Sequence, residues 1–190
     1  ANDGMNNTVV WVQPTTGPGV WEPSVPGAPV TDIVLTQVRP LSLRSSAQLR
    51  PDGPVSLGSA TYAVDFDEVK RLGRVDSTAR TTIQTETARF WSENAAQQSG
   101  RALRRLAVAR GLDLAETAQM LAMAYVSGAD SLIACYEAKF HSIFWRPIHA
   151  IPRADTDGNP ATEPDASWLP LINLNFPEYP SGHACATGAI

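Results

Sequence analysis

The sequence predicts an all-α protein, a helical bundle preceded by an extended N-terminal arm. No segment alternates apolar and polar residues cleanly enough to predict a strand, and no internal repeat is visible. Several segments instead begin at residues that cap helices or end at glycine. A chain of 190 residues with 43% hydrophobic residues can bury a sizeable core. We therefore divide it into an arm, 1–60, and one helical domain, 61–190.

The arm is dense in proline, glycine, threonine and valine and has no sustained hydrophobic period. Disordered tails usually lack large apolar side chains, but this segment contains several. They are Trp11, Trp21, Val34, Leu35 and Leu41. We expect the arm to wrap along the helical domain with these side chains as anchors.

Cap and stop residues predict four main helices. The first covers about 65–72 and ends at Gly73. The second covers about 77–93 and is capped by Asp76 or Ser77. The third covers about 99–110 and ends at Gly111. The fourth begins at a capping box formed by Asp113 and Glu116 and continues to about Trp145. After Pro147 come a short Ile-His-Ala-Ile segment and a loop from Pro152 to about Ser167, and a further helix can begin at Ser181.

The long fourth helix has a narrow apolar stripe at 100° per residue. Its members are Leu114, Leu121, Tyr125, Leu132 and Cys135, and Lys139 falls on the same stripe. An unpaired buried ammonium is costly, so an anionic group is expected to meet Lys139. The alternatives are that Lys139 extends to solvent at the helix end or pairs with a structural carboxylate.

Arg146 follows Lys139 by seven residues and precedes Pro147, which should turn the chain there. Seven residues are nearly two helical turns, so the two side chains can project from one face, about 10 Å apart along the axis. Together they could flank one tetrahedral oxyanion. The alternative is an ordinary surface arginine.

A second group of candidate residues is Pro180-Ser181-Gly182-His183, before a run of short side chains. The Ser181 hydroxyl can cap a helix or point at an anion, and Gly182 lets an anion approach the backbone. His183 could act as an acid or base beside it. The alternative is a serine cap with an incidental histidine.

The combined pattern, Lys-x6-Arg-Pro and then Pro-Ser-Gly-His, resembles the superfamily of vanadium-dependent haloperoxidases, bacterial acid phosphatases and type-two phosphatidic acid phosphatases. Further segments resemble its bacterial chloroperoxidase-like branch. They are Asp-Phe-Asp-Glu-Val-Lys-Arg-Leu-Gly at 65–73, Thr-Ala-Arg-Phe-Trp at 87–91, Asp-Gly-Asn-Pro-Ala-Thr at 157–162 and Phe-Pro-Glu-Tyr-Pro-Ser-Gly-His at 176–183. The resemblance covers about 41–190 and implies a helical bundle of the vanadium chloroperoxidase and acid phosphatase type.

The resemblance also implies roles for individual residues. Vanadate or phosphate would be bound by Lys139, Arg146, Ser181, Gly182 and His183, with Lys139 and His183 also acting in catalysis. A weaker inference places Tyr136 and Phe176 at a halide pocket, where Tyr136 stands in place of the tryptophan usual in fungal chloroperoxidases. The family's third block, Ser-Arg followed by a histidine, does not occur in these 190 residues. No metal-ligating histidine can therefore be identified, and His141 and His149 are expected to have packing or surface roles.

The charge and the apolar stretches of the sequence restrict the expected binding partners and cellular location. A net charge of −4 and a pI near 5.3 disfavour nucleic acid. No apolar stretch is long enough to predict a membrane span, so we expect a soluble protein. The start at Ala1 rather than at a methionine is typical of a processed export product or of a trimmed chain, and a secreted or periplasmic location is the hypothesis that the first of these suggests. The two cysteines, Cys135 and Cys185, are expected to be buried thiols.

Three functions remain open. The first is a haloperoxidase that uses vanadate, hydrogen peroxide and halide. The second is an acid phosphatase, which would hold phosphate in the same site and hydrolyse phosphomonoesters. The third is an inactive fragment that binds anions or serves as a helical interaction unit. For either enzyme, the missing third block would have to come from further residues or from a second polypeptide.

Overall fold

A computed structural model describes residues 3–25 and 27–190. The helices in these ranges are α1 Ala60–Leu72, α2 Thr82–Trp91, α3 Ala95–Arg110, α4 Leu114–Ser142, α5 Pro147–Ala150 and α6 Gly182–Gly188. No strand occurs in the described ranges, where β pairing is limited to isolated bridges such as that between Val20 and Phe144. The predicted all-α class is confirmed.

Three predicted helix starts were wrong. Helix α1 begins at Ala60 rather than 65 because the Ser59 side chain caps it by accepting from the Tyr62 N–H. Helix α2 begins later than predicted, after a capping box formed by Thr81 and Gln84. Helix α3 begins earlier than predicted, because Asn94 caps it. The predicted stop at Gly111 is confirmed by a left-handed backbone with φ of 64°.

Helix α4 begins at the predicted capping box of Asp113 and Glu116. It ends at Ser142, not near 145, because Ile143 takes a left-handed conformation with φ of 40°. The predicted apolar stripe is buried only in its second half. Leu114 is 88% exposed and Tyr125 is 43% exposed, so the stripe was wrong for the N-terminal half of the helix.

The arm lies along α4. Its one helical segment within the described residues is a short 3-10 helix, Ile33–Gln37, which packs against α4. Trp21 is fully buried and its ring contacts Trp11 and Phe140. This agrees with the anchoring expected of both tryptophans. The division at 60 into arm and domain stays a prediction.

A buried carboxylate holds the arm at a second point. Asp130 in α4 accepts hydrogen bonds from the backbone N–H groups of Leu41, Ser42 and Leu43 and from the Ser42 hydroxyl. Leu41 was expected to anchor through its side chain, but that side chain is 66% exposed. The arm is therefore attached here through its backbone.

The core lies between α1, α5 and the loop that follows α5. Its buried side chains are Tyr62, Phe66, Trp145, Ala150, Ile151, Ala154 and Trp168. The Trp168 indole N–H donates to the Lys70 carbonyl at 2.9 Å, which ties the loop to α1. This packing fixes the position of α5 and of the chain that leads into it. Within residues 3–25 and 27–190, no helix is long and apolar enough to cross a bilayer.

Candidate functional site

Lys139 lies at the centre of the candidate site and is 1% exposed. Its ammonium donates to the backbone carbonyls of Pro177 and Glu178, both at 2.9 Å. In the described structure the ammonium is held by these two carbonyl oxygens, and it neither reaches solvent nor pairs directly with a carboxylate. Burial lowers the pKa of Lys139 to about 8. One of its three N–H donors is left for a further acceptor.

Arg146 approaches the same loop from the other side. It stands in extended conformation just before α5, and its side chain is 12% exposed. Its Nη1 lies 3.1 Å from a carboxylate oxygen of Glu178 and 3.4 Å from the carbonyl of Phe176. Burial lowers the pKa of Arg146 below its usual value, but a guanidinium stays protonated in proteins. Both contacts use Nη1, which leaves Nε and Nη2 without hydrogen bonds to the described part of the chain.

The ring of Phe176 joins the two cations. Lys139 Nζ lies 4.8 Å from the ring centroid and the Arg146 guanidinium carbon 5.1 Å from it. Tyr136 packs edge-on against the same ring at 5.6 Å, and its hydroxyl donates to Asp32 at 2.9 Å. Burial, reinforced by the Asp32 charge, raises the pKa of Tyr136, so the phenol stays neutral. The predicted pair Tyr136 and Phe176 is therefore in contact beside the cations.

The Pro-Ser-Gly-His segment is only partly at this position. A Cβ on Gly182 would lie 3.8 Å from Lys139 Cε, which places the glycine directly beside the lysine stem. Ser181 caps α6 by accepting from the Ala184 N–H at 3.3 Å, so its hydroxyl hydrogen can still be donated. His183 instead has Nε2 3.3 Å from the backbone carbonyl of Glu93, just after α2.

Glu178 was missed by the sequence interpretation. It lies between Pro177 and Pro180, inside the segment whose resemblance to the family was noted, and its carboxylate is the counterion of Arg146. The sequence signal that could have identified Glu178 is its position, two residues after Phe176 and three residues before Ser181. Because its side chain is 41% exposed, the carboxylate can move away when an anion approaches.

The described geometry resembles an oxyanion site. Two cations, Lys139 and Arg146, converge on one loop, and both have donors to spare. Gly182 leaves space next to the lysine. These groups suit a small tetrahedral anion, which needs several charge-assisted hydrogen bonds in a confined volume.

Comparisons with known proteins indicate which family this chain resembles. Residues 119–190 match the model of the VCPO second helical-bundle domain. The chain is similar to vanadium chloroperoxidase from Curvularia inaequalis, with 28% identity over 173 residues that cover 73% of this chain and 28% of that protein. Its structure is similar to that of a bacterial vanadium-dependent iodoperoxidase, with a TM-score of 0.65 and 28% identity. These three similarities support the vanadium haloperoxidase superfamily. The structural match covers 90% of this chain and 42% of the iodoperoxidase, so the haloperoxidase-like chain described here spans less than half of either relative.

Proposed function

We propose that this protein is a vanadate-dependent haloperoxidase-like protein that holds vanadate at Lys139 and Arg146, beside Ser181, Gly182 and His183. The supporting observation is the convergence of Lys139 and Arg146 on the ring of Phe176, with donors unused on both. Both similar proteins are named for vanadium-dependent halide oxidation. When bound, vanadate would activate hydrogen peroxide for the oxidation of halide.

The residues of this chain have separate tasks in the proposal. The third N–H of Lys139 and the free Nε and Nη2 of Arg146 would donate to oxyanion oxygens. Ser181 would donate its hydroxyl hydrogen. The space between Gly182 and the aliphatic part of the Lys139 side chain would admit the anion. His183 would exchange protons once its Nε2 leaves the Glu93 carbonyl. The buried, neutral Tyr136 and the half-buried Phe176 would limit water and form one wall for a halide.

Activity of the whole protein needs groups that these residues do not provide. Within the described residues no cluster of histidine, cysteine, aspartate or glutamate could hold a metal ion. We propose that a further arginine and a histidine from a third block, in a longer chain or a second polypeptide, complete the site. The alternative function, hydrolysis of phosphomonoesters, uses the same cations to stabilise equatorial phosphoryl oxygens.

The direct test is to determine the intact mass of the native preparation and then assay it. Monobromination and release of para-nitrophenol from para-nitrophenyl phosphate would be measured with and without added vanadate. Vanadate-dependent bromination is expected. Phosphate release that vanadate inhibits would instead assign an acid phosphatase, and inactivity in both assays of a preparation that contains the third block would refute both enzymes.

Neutralising Glu178 should strengthen anion binding. In Glu178→Gln the Arg146 guanidinium loses its counterion and the negative charge that repels an oxyanion. We expect about a threefold to fivefold tighter binding of sulfate, since a partly exposed ion pair contributes about 0.5–1 kcal/mol. Titration calorimetry measures it. Glu68→Gln, an equal charge change at an exposed site on α1, should leave the affinity unaltered, and equal gains in both variants would contradict a local effect.

Filling the space at Gly182 should weaken anion binding without unfolding the protein. The added methyl of Gly182→Ala meets Lys139 Cε at ordinary contact distance, and alanine favours a helix over glycine by about 1 kcal/mol. We expect sulfate affinity to fall while thermal stability is maintained or increases. Gly188→Ala is the matched control, because nothing lies within 4 Å of its Cβ in the same helix. Unchanged affinity in Gly182→Ala would remove Gly182 from the site.

The lowered pKa of Lys139 predicts how binding depends on pH. Because burial holds the pKa to about 8, the ammonium loses its proton, and with it its charge, as the pH rises through that value. Sulfate is a suitable probe because its own charge is constant there. We expect its affinity to decrease above about pH 8. A flat profile from neutral pH to about pH 10 would show that Lys139 does not bind the anion.

A further inference from the structure

The fold brings the two cysteines of the sequence together. Cys135 lies in the buried half of α4 and Cys185 in α6, and these helices pack against each other. The Ser131 hydroxyl donates to the Cys185 carbonyl at 2.7 Å, which fixes α6 on α4 at this level. The Cys135 thiol lies 3.8 Å from the Pro180 carbonyl, and both cysteines line the same cavity. Neither is in a disulfide.

A cavity gives a small molecule access to this pair. It has a volume of about 530 Å³, lies between the arm, α4 and α6, and is lined by both cysteines. Cys185 is half-buried, whereas Cys135 is 3% exposed. A small oxidant can therefore reach Cys185 first, and Cys135 is positioned behind it.

We propose that Cys135 and Cys185 are a reversible redox pair that hydrogen peroxide converts into a disulfide. The Cys185 thiolate attacks one peroxide oxygen, the O–O bond breaks, and the departing hydroxide takes up the proton lost from the thiol and leaves as water. Cys185 is then a sulfenic acid. The Cys135 sulfur attacks the Cys185 sulfur, the S–O bond breaks, and hydroxide leaves with the Cys135 proton as a second water. The thiols lose two electrons and the peroxide gains them.

The surroundings of the two thiols agree with this order of attack. The interaction with Cys135, followed by the positive charge of Lys139, lowers the pKa of Cys185 to about 7 against the opposing effect of burial. The interaction with Cys185 and burial both raise the pKa of Cys135. Cys185 is therefore the thiol that reacts first and Cys135 the one that resolves it.

The disulfide would constrain two residues of the candidate anion site, Lys139 and Gly182. Cys135 lies one turn before Lys139 in α4, and Cys185 lies three residues after Gly182 in α6. A covalent link between them would hold the lysine stem and the glycine at a constant separation. The proposal concerns the thiols alone and holds whether or not vanadate binds.

The test treats the protein with a small excess of hydrogen peroxide, quenches it, and determines free thiols and intact mass. We expect both thiols to disappear together, with a loss of mass equal to two hydrogen atoms and full recovery after dithiothreitol. Disulfide formation should be at least about tenfold faster than in guanidinium chloride, since the fold supplies the proximity. Addition of oxygen with no cross-link, a disulfide between two chains, or equal rates in both solvents would overturn the proposal.

Single variants separate the two roles. In Cys135→Ser the reaction should stop at a sulfenic acid on Cys185, which dimedone traps. In Cys185→Ser the remaining Cys135 should react at least about tenfold more slowly than Cys185 does in the other variant. Equal reactivity of the two single variants would contradict the assigned order and the access through Cys185.

Discussion

Replacing Lys139 with methionine is expected to weaken the binding of a tetrahedral oxyanion about a hundredfold. Methionine keeps the length and apolar stem of the side chain but removes the charge that the proposed site depends on. A hydrogen bond to a charged group contributes about 1.5–3 kcal/mol, and about 2.7 kcal/mol corresponds to a hundredfold change in affinity. Titration of wild type and variant with sulfate at about pH 7, below the lysine pKa, measures the difference.

Lys70→Met is the matched control for this prediction. Lys70 likewise donates to a backbone carbonyl, that of Glu163 at 2.7 Å, and lies 6.0 Å from the ring centroid of Phe66. Neither of these contacts involves the loop that Lys139 and Arg146 share, so the loss of Lys70 should leave sulfate affinity unchanged. Thermal unfolding of both variants establishes that they are folded. If Lys139→Met bound sulfate as tightly as wild type, the proposed anion site would be wrong.

Local signals in the sequence were sufficient for much of the helical framework. The capping box of Asp113 and Glu116 and the stop at Gly111 depend on residues within one turn of each other, so their chemistry is visible in the sequence. The starts of α1 and α2 were missed although Ser59 and Thr81 are ordinary caps. Competing serine and aspartate residues nearby made the choice ambiguous, and packing against the rest of the fold decides it.

The candidate site was predicted in part, and one reason given for it was wrong. Lys139 and Arg146 were expected to project from one face because nearly two helical turns separate them, but α4 ends at Ser142 and Arg146 stands well outside it. The two cations still converge, because both reach the loop that contains Phe176. Contacts between a side chain and a backbone carbonyl some forty residues away have no sequence signature, since every residue has a carbonyl.

The same argument explains the position of His183. The sequence places it next to Ser181 and Gly182, which suggests a shared role at an anion. In the structure its Nε2 lies beside the carbonyl of Glu93, a partner that only the packing of α6 near the end of α2 can supply. A catalytic role for His183 therefore requires a change of hydrogen-bond partner, which the sequence alone could not indicate.

The largest expected effect on stability comes from Asp130→Ala. Burial alone would raise the pKa of Asp130, but hydrogen bonds from the Ser42 hydroxyl and from the N–H groups of residues 41–43 outweigh it and hold the pKa below its usual range. The charged carboxylate is thus stabilised by folding. Its removal leaves those donors unpaired, and we expect the free energy of unfolding to fall by about 3 kcal/mol.

Urea denaturation at neutral pH measures this loss, and limited trypsin digestion locates it. Cleavage after Arg44 should accelerate, because the arm is released from α4. The sign of the pH effect follows from the lowered pKa: the contribution is complete above the unfolded pKa, near 4, and disappears as the pH falls through the folded value. Wild type and Asp130→Ala should therefore converge in stability at low pH.

Two further variants decide whether the effect belongs to this carboxylate. Asp130→Asn keeps the shape but turns one acceptor into a donor that faces the arm N–H groups, so it should recover only part of the lost stability. Asp52→Ala removes an equal charge from an exposed position in the arm and should change stability by less than about 0.5 kcal/mol. If Asp130→Ala were as stable as Asp52→Ala, the arm would be held by its tryptophans rather than by its backbone.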